Sequence, residues 1–260
     1  MGKRGPSTLL KTFLMMAVCL ELVGCVTTTN DPLAQNRDPE RAVAAYVQTG
    51  MVFMQRNQMQ DANRVLTRAQ QIDPDSPAVN NALALFFSLE GDKSQTEKYF
   101  KKALSSNPDF SQARNNYAAF LFQQGRTEDA IEQLQRVTKD YTYDRRFTAY
   151  ENLGLCYLKL GQKDKALMAF NRALNLNPDQ PVSLLETAQL EFDRGNNLAA
   201  QRYLSRYEKL SKPNPRQLWL GIQLERALGD KDKLASYALA LKNLFPGSPE
   251  YKTYQASKQP

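Results

Sequence analysis

The chain has 260 residues, a formal charge of +7 and no histidine. The missing histidine removes the commonest general base, zinc ligand and activator of a serine or cysteine nucleophile. No GxGxxG or GxxxxGKS/T segment is present to cradle a phosphate, so the sequence argues against an enzyme and offers no cofactor or metal site.

Residues 1–24 begin with Lys3, Arg4 and Lys11, and an apolar run follows from Phe13 to Val23. That run is too short to span a bilayer and reads as a cleaved export signal. It ends in Leu22-Val23-Gly24-Cys25, which resembles the bacterial lipobox, where the chain is cut before the cysteine and the thiol is acylated. Glu21, a charge beside the box, departs from that pattern. Several acyl chains on Cys25 hold a protein at a membrane, each buried methylene contributing about 0.8 kcal/mol. Val26 follows the cysteine; the absence of an aspartate there implies, by analogy with such lipoproteins, transfer to the outer membrane with the rest of the chain in the periplasm. Loss of the signal removes three basic residues and one acidic residue, which lowers +7 to +5. Residues 25–42 hold the lipidated cysteine and a polar, proline-containing stretch without helical periodicity, a flexible tether.

From 43 to 248 a fixed beat runs through the chain. Gly91, Gly125, Gly161, Gly195 and Gly229 are spaced 34, 36, 34 and 34 apart, and Asn57 stands 34 before the first. A small residue usually comes five later (Ala62, Ala130, Ala166, Ala200), and a bulky apolar residue four after that (Leu66, Phe100, Leu134, Phe170, Leu204). Proline often closes the unit (Pro74, Pro108, Pro178, Pro246). Each residue type has a task. The glycine allows positive φ at a helix end. The small residue lets two helices approach, the bulky one fills the gap between units, and proline stops the helix. This is the tetratricopeptide pattern of two antiparallel helices per unit. The expected fold is all-α, a right-handed α-solenoid of about six repeats: 43–76, 77–110, 111–146, 147–180, 181–214 and 215–248. The third carries two extra residues near Lys139–Arg146, and the sixth is degenerate, with Leu234 at the small position. Residues 249–260 read as a short tail that frays, with Tyr251 and Tyr254 able to cap the last helix.

Cys19 leaves with the signal and Cys25 carries lipid, so Cys156 is the remaining thiol; within a first helix it reads as a small buried apolar residue. Basic groups such as Lys98/Lys101/Lys102 and Arg145/Arg146 read as solvated helix faces, with no nucleic-acid motif beside them. Glu128/Asp129 sit at an expected helix start, where carboxylates favour the dipole.

First helices line the concave face of such a solenoid. Their inward positions give Met51, Met54, Leu85, Phe122, Leu155, Leu158 and Phe192, a mostly apolar stripe, with Asn81, Asn115, Glu151 and Lys159 beside it. The stripe is the expected partner-binding groove, and its methionines suit a varied partner surface. The carboxylate clamp that grips chaperone tails in some such proteins needs lysine and asparagine where this chain has Val47 and Met51.

The whole arrangement resembles the PilF/PilW family of type IV pilus biogenesis lipoproteins. The carrying segments are LVGC (22–25), NNYAAFLFQQGR (115–126), ENLGLCYLKLGQ (151–162), LNLNPDQPVSLLETAQL (174–190) and LWLGIQLERALGDKDKLASYALALKNLFPGSPEY (218–251). Trp219 and Leu220 stand where the family is simply aliphatic. The resemblance implies a pilotin, which brings the secretin subunit to the outer membrane and promotes its multimerisation, with no small-molecule substrate. Another outer-membrane repeat lipoprotein, serving β-barrel insertion or peptidoglycan enzymes, is the alternative.

Overall fold

The computed structural model describes residues 38–258. The expected signal segment, Cys25 and most of the tether lie outside the described residues. The described residues form thirteen helices, and the repeat array belongs to a compact unit that starts at Val43. First helices are α1 (Pro39–Gln55), α3 (Pro77–Leu89), α5 (Ser111–Gln123), α7 (Arg146–Lys159), α9 (Pro181–Asp193) and α11 (Pro215–Leu228). Second helices are α2 (Met59–Ile72), α4 (Lys93–Ser106), α6 (Thr127–Val137), α8 (Lys163–Leu176), α10 (Asn197–Leu210) and α12 (Lys231–Leu244). A last helix, α13, spans Pro249–Ala256.

The turns follow from the beat. Asn57 has φ 58°, and the five beat glycines have φ between 71° and 84°. The small residues Ala62, Thr96, Ala130, Ala166 and Ala200 are all fully buried, as are Leu66, Leu134 and Phe170 at the bulky positions. Each second helix packs on the first helix of the next unit, and from α3 onward consecutive first helices also touch. The result is a right-handed solenoid whose core runs lengthwise as a series of clusters. A single unit could not bury these residues alone.

Polar groups sew the units where proline ends them. The Pro74 carbonyl accepts from Asn80 Nδ2 at 3.1 Å and Lys102 Nζ at 2.8 Å, and the Pro178 carbonyl accepts from an Arg206 guanidinium nitrogen at 2.7 Å. These carbonyls have no helical partner, so the side chains satisfy an otherwise orphaned acceptor. In the third unit the two extra residues lengthen the connection rather than a helix: α6 has 11 residues, and the turn after it is held by Asp140, which accepts from Ser111 Oγ and Thr142 Oγ1. Ser111 leads the causes that hold the Asp140 carboxyl below its ordinary value.

The tail does not fray as expected. Pro181, Pro215 and Pro249 open α9, α11 and α13 at intervals of 34, so residues from 249 restart the repeat. Ser248 caps α13 by accepting from the Tyr251 amide. Tyr254 is buried against Leu218, Ile222, Ala238 and Leu241, with Trp219 edge-on at 6.5 Å. The two tyrosines do cap the sixth unit, from within an ordered helix.

Candidate protein-binding face

The expected groove residues fall at several places along the array. Phe122 and Leu155 come together: they line one cavity of about 270 Å³ between α5 and α7, over Ala118, Asn152 and Cys156. Leu158 does not line that cavity; it packs on Leu167, Phe170 and Leu190, a cluster that Leu155 also touches. Phe192 covers the cluster built by Leu185, Leu204 and Leu220. Leu85 touches both the first and second clusters, and Met51 is half-buried in the first. Met54 is buried, 8 % exposed, and belongs to the core rather than to an open face. Apart from buried Met54, the stripe is therefore a row of half-buried side chains resting on the packed clusters between repeats, with a preformed apolar hollow in the middle.

Polar neighbours of the stripe are engaged within the array. Asn116 Nδ2 donates to Asn81 Oδ1 at 3.1 Å, and Asn152 Nδ2 to Asn115 Oδ1 at 3.2 Å. Glu151 accepts from Ser183 N at 3.2 Å and Ser183 Oγ at 2.8 Å. Arg216 forks onto both oxygens of Glu186, with one bond at 2.7 Å; this bidentate pair holds the Arg216 guanidinium above its ordinary pKa. Asn81 and Asn115 are buried. Asn115 and Glu151, expected to meet a partner, thus serve as rungs of a ladder joining successive first helices. Sequence reasoning missed the ladder. Its only signal is that polar residues recur at the fifth position of units two to four and at the sixth position of units three to five.

Cys156 is 1 % exposed and sits under the Phe122–Leu155 hollow. Burial pushes its thiol up to about 11, so it stays protonated at neutral pH and acts as a small apolar group. Among the described residues there is no cluster of three or more metal-ligating side chains, and no helix is long and apolar enough to cross a membrane.

Paired helices on a 34-residue beat, with a half-buried apolar row on the first helices, define a repeat scaffold for binding other proteins. Tetratricopeptide repeat models match residues 77–110 and 109–179. Over 246 residues the chain is 35 % identical to the type IV pilus assembly protein PilF of Pseudomonas aeruginosa, which covers 94 % of this chain and 98 % of that one. The solved structure of Pseudomonas aeruginosa PilF superposes with a TM-score of 0.82 at 36 % identity, covering 85 % of this chain and all of that one. PilW, described as a widely conserved type IV pilus biogenesis factor, superposes at 0.71 with 25 % identity over 82 % of this chain and 98 % of its own. The chain belongs to the PilF/PilW family of tetratricopeptide-repeat lipoproteins of type IV pilus biogenesis.

Proposed function

We propose that the chain is a pilotin for type IV pili: anchored in the outer membrane through acylated Cys25, with its repeats in the periplasm, it binds the secretin subunit along the first-helix face and promotes its localisation and multimerisation. The observation that carries this reading is the end-to-end relation to a type IV pilus assembly protein, with no segment of either chain left over beyond a few per cent. The hollow at Phe122 and Leu155 supports it, because a preformed apolar site binds a partner side chain without first reorganising. Anchoring such a face at a membrane raises the partner's effective concentration there.

The test deletes the gene and restores it as wild type or as Cys25→Ser. Wild type restores surface pili and outer-membrane secretin multimers, and secretin co-purifies with it from solubilised envelopes. Cys25→Ser leaves the outer-membrane fraction and fails to restore multimers. Pili and multimers that persist in the deletion would refute the proposal.

A further inference from the structure

Between α12 and α13 lies a second cavity, of about 420 Å³, far along the array from the Phe122 hollow. Its floor is Ala238 and Tyr254, its walls are Leu239 and Tyr251, and Lys242 and Lys258 stand at its edge. Leu239 is 58 % exposed. No carboxylate lines it.

The repeat shows what such a groove holds. Thirty-four residues earlier, Leu204, Ser205 and Glu208 of α10 occupy the positions of Ala238, Leu239 and Lys242. That earlier groove, between α10 and α11, is covered by α12, which leaves a cavity of about 300 Å³ beside Glu208 and Tyr237. A Cβ on Gly221 would lie 2.9 Å from the Tyr237 ring, and Tyr237 Oη donates to Glu208 Oε1 at 2.7 Å. The first unit repeats the arrangement, with Gln70 Nε2 donating to Tyr99 Oη of α4 at 3.1 Å. In each case the second helix of the following unit supplies an aromatic side chain and a polar partner for the rim residue. Since α13 stands as the first helix of a seventh unit, the groove beside it is the place of that unit's second helix. No described helix occupies it.

We propose that this groove docks an amphipathic helix of a partner protein, one whose apolar stripe is flanked by acidic residues. The apolar requirement comes from Ala238, Leu239, Tyr251 and Tyr254. The acidic requirement comes from the rim: where Glu208 accepts a hydrogen bond from the helix that covers its groove, Lys242 can only donate, and Lys258 adds a second cation. Lys258 Nζ lies 4.6 Å from the Tyr254 ring centroid, a cation–π contact that steers the ammonium to the groove. The site is separate from the first-helix face, so it stands or falls independently of the pilotin reading.

The test uses the full chain in detergent and a stapled helical peptide with the sequence of residues 231–244, the helix that covers the preceding groove, carrying Lys231→Glu, Lys233→Glu and Lys242→Glu. Fluorescence anisotropy of the labelled peptide should show saturable binding. Leu239→Asp in the chain, and separately Lys242→Glu with Lys258→Glu, should each raise Kd at least tenfold without loss of helicity, since all three side chains are exposed. The charge-reversed chain should instead prefer the peptide that keeps its lysines. Equal binding of both peptides, or binding indifferent to Leu239→Asp, overturns the proposal. Self-association of the chain that Leu239→Asp abolishes would also overturn it, by making a second copy the occupant.

Discussion

Gly154 and Gly161 lie seven residues apart in one unit and do different work. Gly161 has φ 71° and open space where a Cβ would be; its cost on substitution is backbone strain alone. At Gly154 a Cβ would land on the Phe170 ring, between two helices that must touch. Gly161→Val should therefore cost about 1–2 kcal/mol, and Gly154→Val more, since overpacking of about 1–3 kcal/mol adds to lost helix contacts. Thermal unfolding of the two variants checks the order; a larger drop for Gly161→Val contradicts it. Glu97 is a second residue with a defined load. It accepts from Arg126 Nη1, Lys101 Nζ and Tyr117 Oη, each at 2.9 Å, and the Arg126 bond leads the causes that pull its carboxyl down to about 2. Burial, and after it the hydrogen bond to Glu97, raises the Tyr117 hydroxyl to about 12. A depressed carboxyl contributes stability that is complete above its unfolded value, near 4.5, and is lost as pH falls toward 2. Glu97→Gln should lower stability by about 1 kcal/mol at neutral pH, after allowance for a side chain that is 27 % exposed. It should also flatten the decline between pH 4.5 and 2. An unfolding series with parallel wild-type and variant curves over that window would contradict this.

The rungs between first helices show why elements stay in register. Each bond joins neighbouring repeats, so its loss loosens an interface rather than a helix. Glu186 is the strongest rung. Its side chain is 11 % exposed while that of Arg216 is 47 % exposed. Glu186→Ala should cost about 1.5 kcal/mol, the low end for a charge-assisted bond, because the orphaned guanidinium can turn to water. Adding Arg216→Ala should cost little more. Purely additive losses in that double-mutant cycle would mean that the pair is not coupled. Helix positions, turn glycines and the packing of Ala166 on its neighbours were legible in the sequence, because a 34-residue beat states them six times. The rungs were not, because Asn81, Asn115 and Glu151 look alike as solvent-facing polar residues until a neighbour's side chain is in place. Helix α13 was missed for a different reason. The prolines at 181, 215 and 249 mark its start at intervals of 34, while residues 249–260 hold no turn glycine to mark its end.

At the scale of the molecule, the described residues hold apolar openings at different places, among them the hollow under Phe122 and Leu155 and the groove beside α13. A solenoid transmits strain only between neighbours, so a change in one opening leaves the other intact and the two can be tested apart. The stripe read from the sequence includes Phe122 and Leu155, which line the first opening, and also Leu158, one helical turn from Leu155, which rests on the next cluster without lining that opening. The apolar period marks which face a residue is on; which junction it joins depends on superhelical geometry that a period alone does not carry. Phe122→Ser with Leu155→Ser therefore tests the central claim most directly, in cells, with circular dichroism of the purified variant alongside. The account predicts a folded, membrane-bound chain that no longer supports secretin multimers or surface pili. A folded variant that still supports both would contradict it.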